Sequence, residues 1–276
     1  MYGAVADPIF DGNDVYVFDM QSKKDQYVCK YDLNTGKLIW KSKELKKLTI
    51  APNMYKVGNR IVIQIGGWAQ VQGIVEEKAT YGAGFGGGFG GRGISISTYR
   101  RVKFYKEFSP FGVEALDATN GEFIWRSERF AKGVTNAFVH NGELVVASGK
   151  ELYNLNPDNG NEKYEVSVKE DDIKETEQIF RLGEDAIIVC TKGVSSHKIA
   201  NGVKNWAVRT KKGDLTTVNN GMAFYATEKS DQVVIDLETG KYTTYDARKG
   251  ADTEIYEDGQ YMIVFEKDRV TKLKTK

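Results

Sequence analysis

Short apolar runs separated by glycine-bearing turns recur along this chain. The runs are Val15–Phe18, Ile61–Ile63, Leu144–Val146, Ala186–Val189, Ala223–Tyr225 and Tyr261–Phe265. β-branched and aromatic residues dominate them, and their length suits strands rather than helices. Each follows a turn: Asp11-Gly12-Asn13, Val57-Gly58-Asn59, Asn141-Gly142-Glu143, Leu182-Gly183-Glu184, Asn220-Gly221-Met222 and Asp258-Gly259-Gln260. Successive turn glycines are 46, 84, 41, 38 and 38 residues apart. Such a period is the mark of a repeat architecture.

A second turn follows about 19 residues after the first in the compact units. It runs from Asp32 through Gly36 to Trp40, and from Asp117 through Gly121 to Trp125. Weaker copies pair Gly160 with Tyr164, Gly202 with Trp206, and Asp236 with Gly240, with Thr244 where the aromatic stood. Glycine takes a positive φ at little cost, and Asp or Asn four residues earlier can accept hydrogen bonds from the turn amides. The large aromatic is expected to anchor the outgoing strand.

Each unit thus predicts four short antiparallel strands in about 40 residues. One such sheet cannot bury both faces, but sheets stacked radially can, which predicts an all-β fold, a β-propeller of about six blades. The expected blades lie near 5–43, 46–128, 132–168, 175–210, 213–247 and 251–276, in a single domain. A first strand is expected over Ala6–Phe10. The sixth second turn would fall beyond Lys276, so the last blade is expected to be incomplete or closed by the N-terminus.

One interval breaks the period. Between Gly58 and Gly121 lie about 44 extra residues, roughly 69–110. Positions 82–93 hold 8 glycines, interleaved with Phe85, Phe89 and Arg92. Strand-like sequence flanks this tract on both sides, predicting a long hairpin with a glycine-rich tip. Gly82, Gly84 and Gly87 match a dinucleotide fingerprint literally, but that fingerprint requires a following helix in a parallel unit, and β-pattern follows here.

The repeat resembles the quinoprotein-type propeller family, with its Asp-x-x-Thr-Gly-x-x-x-Trp signature. Asp32 to Trp40 matches fully, and Asp117 to Trp125 departs only at Asn120. That family includes pyrroloquinoline-quinone dehydrogenases, which use Ca²⁺ and a catalytic carboxylate. It also includes non-enzymatic relatives, such as the propeller lipoprotein that assists outer-membrane β-barrel assembly. The dehydrogenases are longer, with eight blades. No Cys-x-x-Cys-His motif and no adjacent cysteine pair occurs here, and no catalytic Asp or Ca²⁺ ligand maps onto a position. The resemblance therefore implies the non-enzymatic branch, a periplasmic or cell-envelope setting, protein partners and no cofactor.

Composition narrows the picture. The chain has 276 residues with 39 Lys+Arg against 38 Asp+Glu, a balance that argues against a dedicated nucleic-acid binder. No apolar stretch is long enough for a membrane-spanning helix. The N-terminus lacks a basic region followed by an apolar stretch, which fits a mature or trimmed chain, or a cytosolic one. Cys29 and Cys190 sit in strand-like runs and read as buried small residues. His140 and His197 are too few for a multi-histidine metal site. Glu170-Asp171-Asp172 reads as a solvated charge run, and Ser195-Ser196-His197 has no nucleophile-elbow pattern.

The expected function is a non-catalytic scaffold for protein–protein interaction, peripheral to a membrane complex. The alternatives are a cofactor-binding fragment of a quinoprotein dehydrogenase and a ligand-sensing extracytoplasmic propeller. Docking is expected on the loops at one end of the central channel and on the insertion, with the insertion the foremost individual element. Its candidate contacts are Phe85, Phe89, Arg92, Tyr99, Arg100, Arg101, Lys103, Phe104 and Tyr105, because aromatic and Arg side chains anchor interfaces. Removing residues 76–106 is expected to leave the fold intact.

Overall fold

A computed structural model describes residues 6–20, 26–45, 50–81, 94–127, 130, 132–256 and 259–275. Among these residues the fold is all-β, with six antiparallel sheets in chain order. The first holds β1 (Ile9–Asp11), β2 (Asp14–Met20), β3 (Gln26–Asp32) and β4 (Leu38–Lys41). β1 is shorter than the Ala6–Phe10 pattern implied. The second holds β5 (Met54–Val57), β6 (Arg60–Tyr81), β7 (Ile94–Asp117) and β8 (Phe123–Ser127). The third holds β9 (Val134–His140), β10 (Glu143–Ser148), β11 (Glu151–Leu155) and β12 (Glu162–Ser167). After a 3-10 turn at Lys169–Asp171, the fourth holds β13 (Thr176–Leu182), β14 (Asp185–Cys190), β15 (Gly193–Lys198) and β16 (Lys204–Arg209). The fifth holds β17 (Gly213–Asn219), β18 (Met222–Thr227), β19 (Gln232–Asp236) and β20 (Tyr242–Tyr245). The sixth has three strands, β21 (Asp252–Tyr256), β22 (Tyr261–Glu266) and β23 (Arg269–Lys274). Among the described residues no helix is long and apolar enough to cross a membrane.

The continuous apolar runs follow from burial on both faces. Successive strand residues point to opposite faces, so a sheet held between two others needs apolar side chains at every position. Leu144 and Val146 of β10 face the second sheet, while Val145 and Ala147 face the fourth. Ala186 and Ile188 of β14 face back to the third sheet, and Ile187 and Val189 face the fifth. Met222 and Phe224 of β18 meet Met262 and Val264 of the sixth sheet. Five apolar clusters thus join six sheets in sequence, and among the described residues none joins the sixth to the first. Large apolar side chains remain exposed on the two end sheets, Phe10 at 66% on the first and Val270 at 64% on the sixth.

The second turns do more than reverse the chain. In all five the glycine amide donates to the carbonyl four residues back, at 2.8 Å: Gly36 to Asp32, Gly121 to Asp117, Gly160 to Asn156, Gly202 to Lys198 and Gly240 to Asp236. Asp32 Oδ1 accepts from the Thr35 amide at 2.7 Å, and Asp236 Oδ1 from the Glu238 amide at 2.9 Å. The Thr35 amide and hydroxyl hold Asp32 below the usual carboxylate range.

In four of the five turns the aromatic four residues after the glycine packs on the glycine of the next sheet; after Gly240 that place is Thr244. A Cβ placed on Gly121 would lie 2.5 Å from Trp40; one on Gly160 would lie 2.6 Å from Trp125. Gly240 stands in the same relation to Trp206 at 2.6 Å, and Gly202 to Tyr164 at 3.0 Å. The ring's polar atom then reaches the carbonyl three residues before the glycine. Trp40 Nε1 donates to Ala118 O at 3.2 Å, Trp125 Nε1 to Pro157 O at 2.7 Å, and the Tyr164 hydroxyl to Ile199 O at 2.8 Å. Burial pushes the Tyr164 phenol up to about 12, which keeps this donor protonated. Trp206 Nε1 is buried with no partner among the described residues. Gly36 has nothing within 4 Å of where its Cβ would stand.

Candidate interaction site

The second sheet carries the insertion as an extension of its own two middle strands. The β6–β7 register runs unbroken from Gly67 opposite Phe108 to Tyr81 opposite Ile94. β5 covers β6 only as far as Ile63, and β8 covers β7 only from Val113 onward. A two-stranded ribbon therefore leaves the sheet. Its arm from Trp68 to Tyr81 spans about 45 Å at roughly 3.3 Å per residue.

The root is a built feature. The register shifts between Ile65 and Gly67, where Gly66 and Gly67 take φ of 60° and 77°. Only glycine adopts such values without strain. Gln64 is buried, and its Nε2 donates to Gly66 O at 3.0 Å and to Val134 O at 3.1 Å. Its Oε1 accepts from Asn53 Nδ2 at 2.7 Å. Gly67 lies so close to β9 that a Cβ would stand 2.0 Å from Val134 O. Glu107 Oε1 accepts from the Gly133 amide at 2.7 Å. Two strands are thus clamped to the third sheet at the point where they leave the second. The sequence signals were the polar Gln64 inside an apolar run and the glycine pair behind it.

Of the predicted contact residues, Phe85, Phe89 and Arg92 lie outside the described residues. Tyr99, Arg100, Arg101, Lys103, Phe104 and Tyr105 all lie in β7, opposite Glu76, Val75, Ile74, Gln72, Val71 and Gln70. The topology therefore brings six of the nine onto one strand of the ribbon.

Other chemistry-bearing groups are engaged within the fold. Ser195 Oγ lies 3.1 Å from His197 Nε2, but His197 Nδ1 donates to Gly202 O at 3.1 Å rather than to a carboxylate. Ser195 and His197 are fully buried, out of reach of a substrate. Burial holds the imidazole below its ordinary value, so it is neutral at pH 7. In the acidic run, Asp171 pairs with Lys204, and Asp172 with Lys174 and Arg209, each at 2.8 Å. Cys29 and Cys190 are free and buried, and burial pushes the Cys190 thiol up, away from the reactive thiolate. A cavity of about 430 Å³ opens beside Glu143, Asn154, Asp158 and Lys163. Of its three carboxylates, Glu143, Asp158 and Glu162, the first pairs with Lys163 at 2.5 Å and the second with Arg60 at 3.2 Å.

A family model described as outer membrane protein assembly factor BamB matches residues 111–260. The crystal structure of BamB from Moraxella catarrhalis is similar at 12% identity and a TM-score of 0.51, over 98% of this chain and 72% of that one. A computationally designed protein, Ika8, is similar at 11% identity and a TM-score of 0.55, over 98% and 70%. At these identities the likeness concerns the fold. No curated protein sequence matches the chain.

Proposed function

The chain belongs to the outer membrane protein assembly factor BamB family, and from that premise we propose that it is a non-catalytic β-propeller scaffold of a bacterial envelope complex. The observation that carries the reading is the ribbon. The corresponding middle strands of the other sheets are joined by short connections, as between β10 and β11 or β14 and β15. Here both middle strands run on together for more than a dozen residues beyond the sheet, from a root clamped by Gln64, Gly67 and Glu107. A rigid base and a long projecting arm suit the capture of a partner at a distance from the sheets. The family premise supports the envelope location and a protein, rather than a metabolite, as the partner.

The test is a crosslinking capture from a native envelope extract, using the intact chain and a chain whose ribbon is cut back. Capture of a defined partner by the intact chain alone is the expected result. Capture of the same partner by both would move docking to the sheets themselves. No partner with either chain would reject the scaffold reading.

A further inference from the structure

The ribbon's edges pose a question its length makes acute. In an antiparallel strand every second residue directs its N–H and C=O away from its one neighbour. Along β6 from Trp68 to Tyr81 and β7 from Ile94 to Lys106, no third strand pairs with either arm among the described residues. An isolated two-stranded ribbon is marginal in water, and an uncovered edge is a template for another chain. Folded proteins blunt such edges with proline, bulges, short strands or charged side chains, which turn away strands of like charge. Of those devices only charge is present: neither arm contains proline, the register from Gly67 to Tyr81 has no bulge, and the charged residues are Glu76, Glu77 and Lys78 on β6 and Arg100, Arg101, Lys103 and Lys106 on β7.

The two edges differ in charge. The β7 arm, Ile94 to Lys106, carries four basic residues, Arg100, Arg101, Lys103 and Lys106, and no acidic one. The β6 arm, Trp68 to Tyr81, carries Glu76 and Glu77 against Lys78. A second copy pairing β7 with β7 would bring like charges side by side, which destabilises a strand pair. An acidic strand on β7 would meet opposite charge.

We propose that the β7 edge between Ile94 and Lys106 takes up an extended, acidic segment of a partner polypeptide as a third strand of the ribbon. This rests on the scaffold reading and adds its mode: main-chain pairing supplies affinity, and charge selects the sequence and edge. It also gives the ribbon a folded complement that its own two strands lack.

The probe is a fluorescent peptide of about ten residues alternating valine with glutamate, titrated into the full chain and followed by anisotropy. Two N-methylated forms accompany it, one blocking each of its hydrogen-bonding edges, together with a valine–lysine peptide. Hydrogen exchange of the chain is read with and without peptide. The expected result is binding of the acidic peptide and slowed exchange in residues 94–106. One N-methylated form should bind at least tenfold more weakly, and the lysine peptide should not bind. Binding that ignores both N-methylations is charge attraction only and overturns strand addition. Slowed exchange at this edge without peptide, rising with protein concentration, assigns the edge to a second copy and also overturns it. Failure of the acidic peptide to bind at millimolar concentration does the same. In each of these cases partner capture through the ribbon can still succeed, so the failure of strand addition is separable from failure of the scaffold reading.

Discussion

The indole of Trp125 lies against the α-carbon of Gly160 in the neighbouring sheet and donates its Nε1–H to Pro157 O at 2.7 Å. One residue thus supplies an apolar plate and a polar pin between two blades. Gly160→Ala sets a methyl 2.6 Å from the ring, and φ of 70° adds strain. Gly36→Ala carries a like strain, φ 66°, with nothing within 4 Å. Urea unfolding should show a loss of about 1 kcal/mol for Gly36→Ala and about 2–4 kcal/mol for Gly160→Ala. Equal losses would mean that the plate contributes nothing.

The pin can be separated from the plate. Trp125→Phe leaves the buried Pro157 carbonyl unpaired, whereas Trp206 Nε1 already lacks a partner. Trp125→Phe should therefore cost about 1–2 kcal/mol more than Trp206→Phe. The measurement is the difference in unfolding free energy between the two variants.

The ribbon should be dispensable for folding while its root is not. Register sets where to cut: Glu76 pairs with Tyr99 and Lys106 with Ala69, so removal of 76–106 would leave unequal arms. Replacing Gln70–Tyr105, a matched pair, with an Asn-Gly turn should keep Tm within a few degrees of the intact chain. Gly67→Ala should lower it clearly, because the methyl would meet the Val134 backbone, its O at 2.0 Å and its N at 2.8 Å. Calorimetry of the two proteins checks both statements.

Acid should weaken the fourth sheet through His197. Burial lowers its folded value; the Gly202 carbonyl and Asp171 oppose that shift, and Lys204 adds to it. The unfolded chain therefore binds a proton more readily than the native one. The His197 contribution is present above the unfolded value of about 6.5 and is lost as pH falls through the folded value. The urea midpoint should drop between pH 7.5 and 5.5, and His197→Asn should flatten that drop. An unchanged slope in the variant would remove His197 from the account.

Much of the fold was legible because the signals were local. Gly36, Gly121 and Gly160 mark turns whose φ only glycine meets cheaply, and runs such as Ala186–Val189 are apolar throughout because both faces are covered. The partner of each aromatic was not legible. Trp40 reads as an anchor for its own strand, yet it seats on Gly121, some eighty residues on. Sequence spacing within a unit says nothing of which neighbour a side chain meets. The ribbon was expected from its β-pattern, but its root was not, since Gln64 and Gly67 gain their meaning only from Val134 on another sheet.

Partners held on the ribbon should be caught there and not on the outer strands of the sheets. Site-specific photocrosslinking in intact cells tests it most directly, with Tyr99→p-benzoyl-phenylalanine on β7 and Tyr242→p-benzoyl-phenylalanine on β20, where the side chain is exposed. Position 99 should give a discrete crosslinked protein and position 242 none. Crosslinks from 242 alone would contradict it and place the docking surface on the sheets.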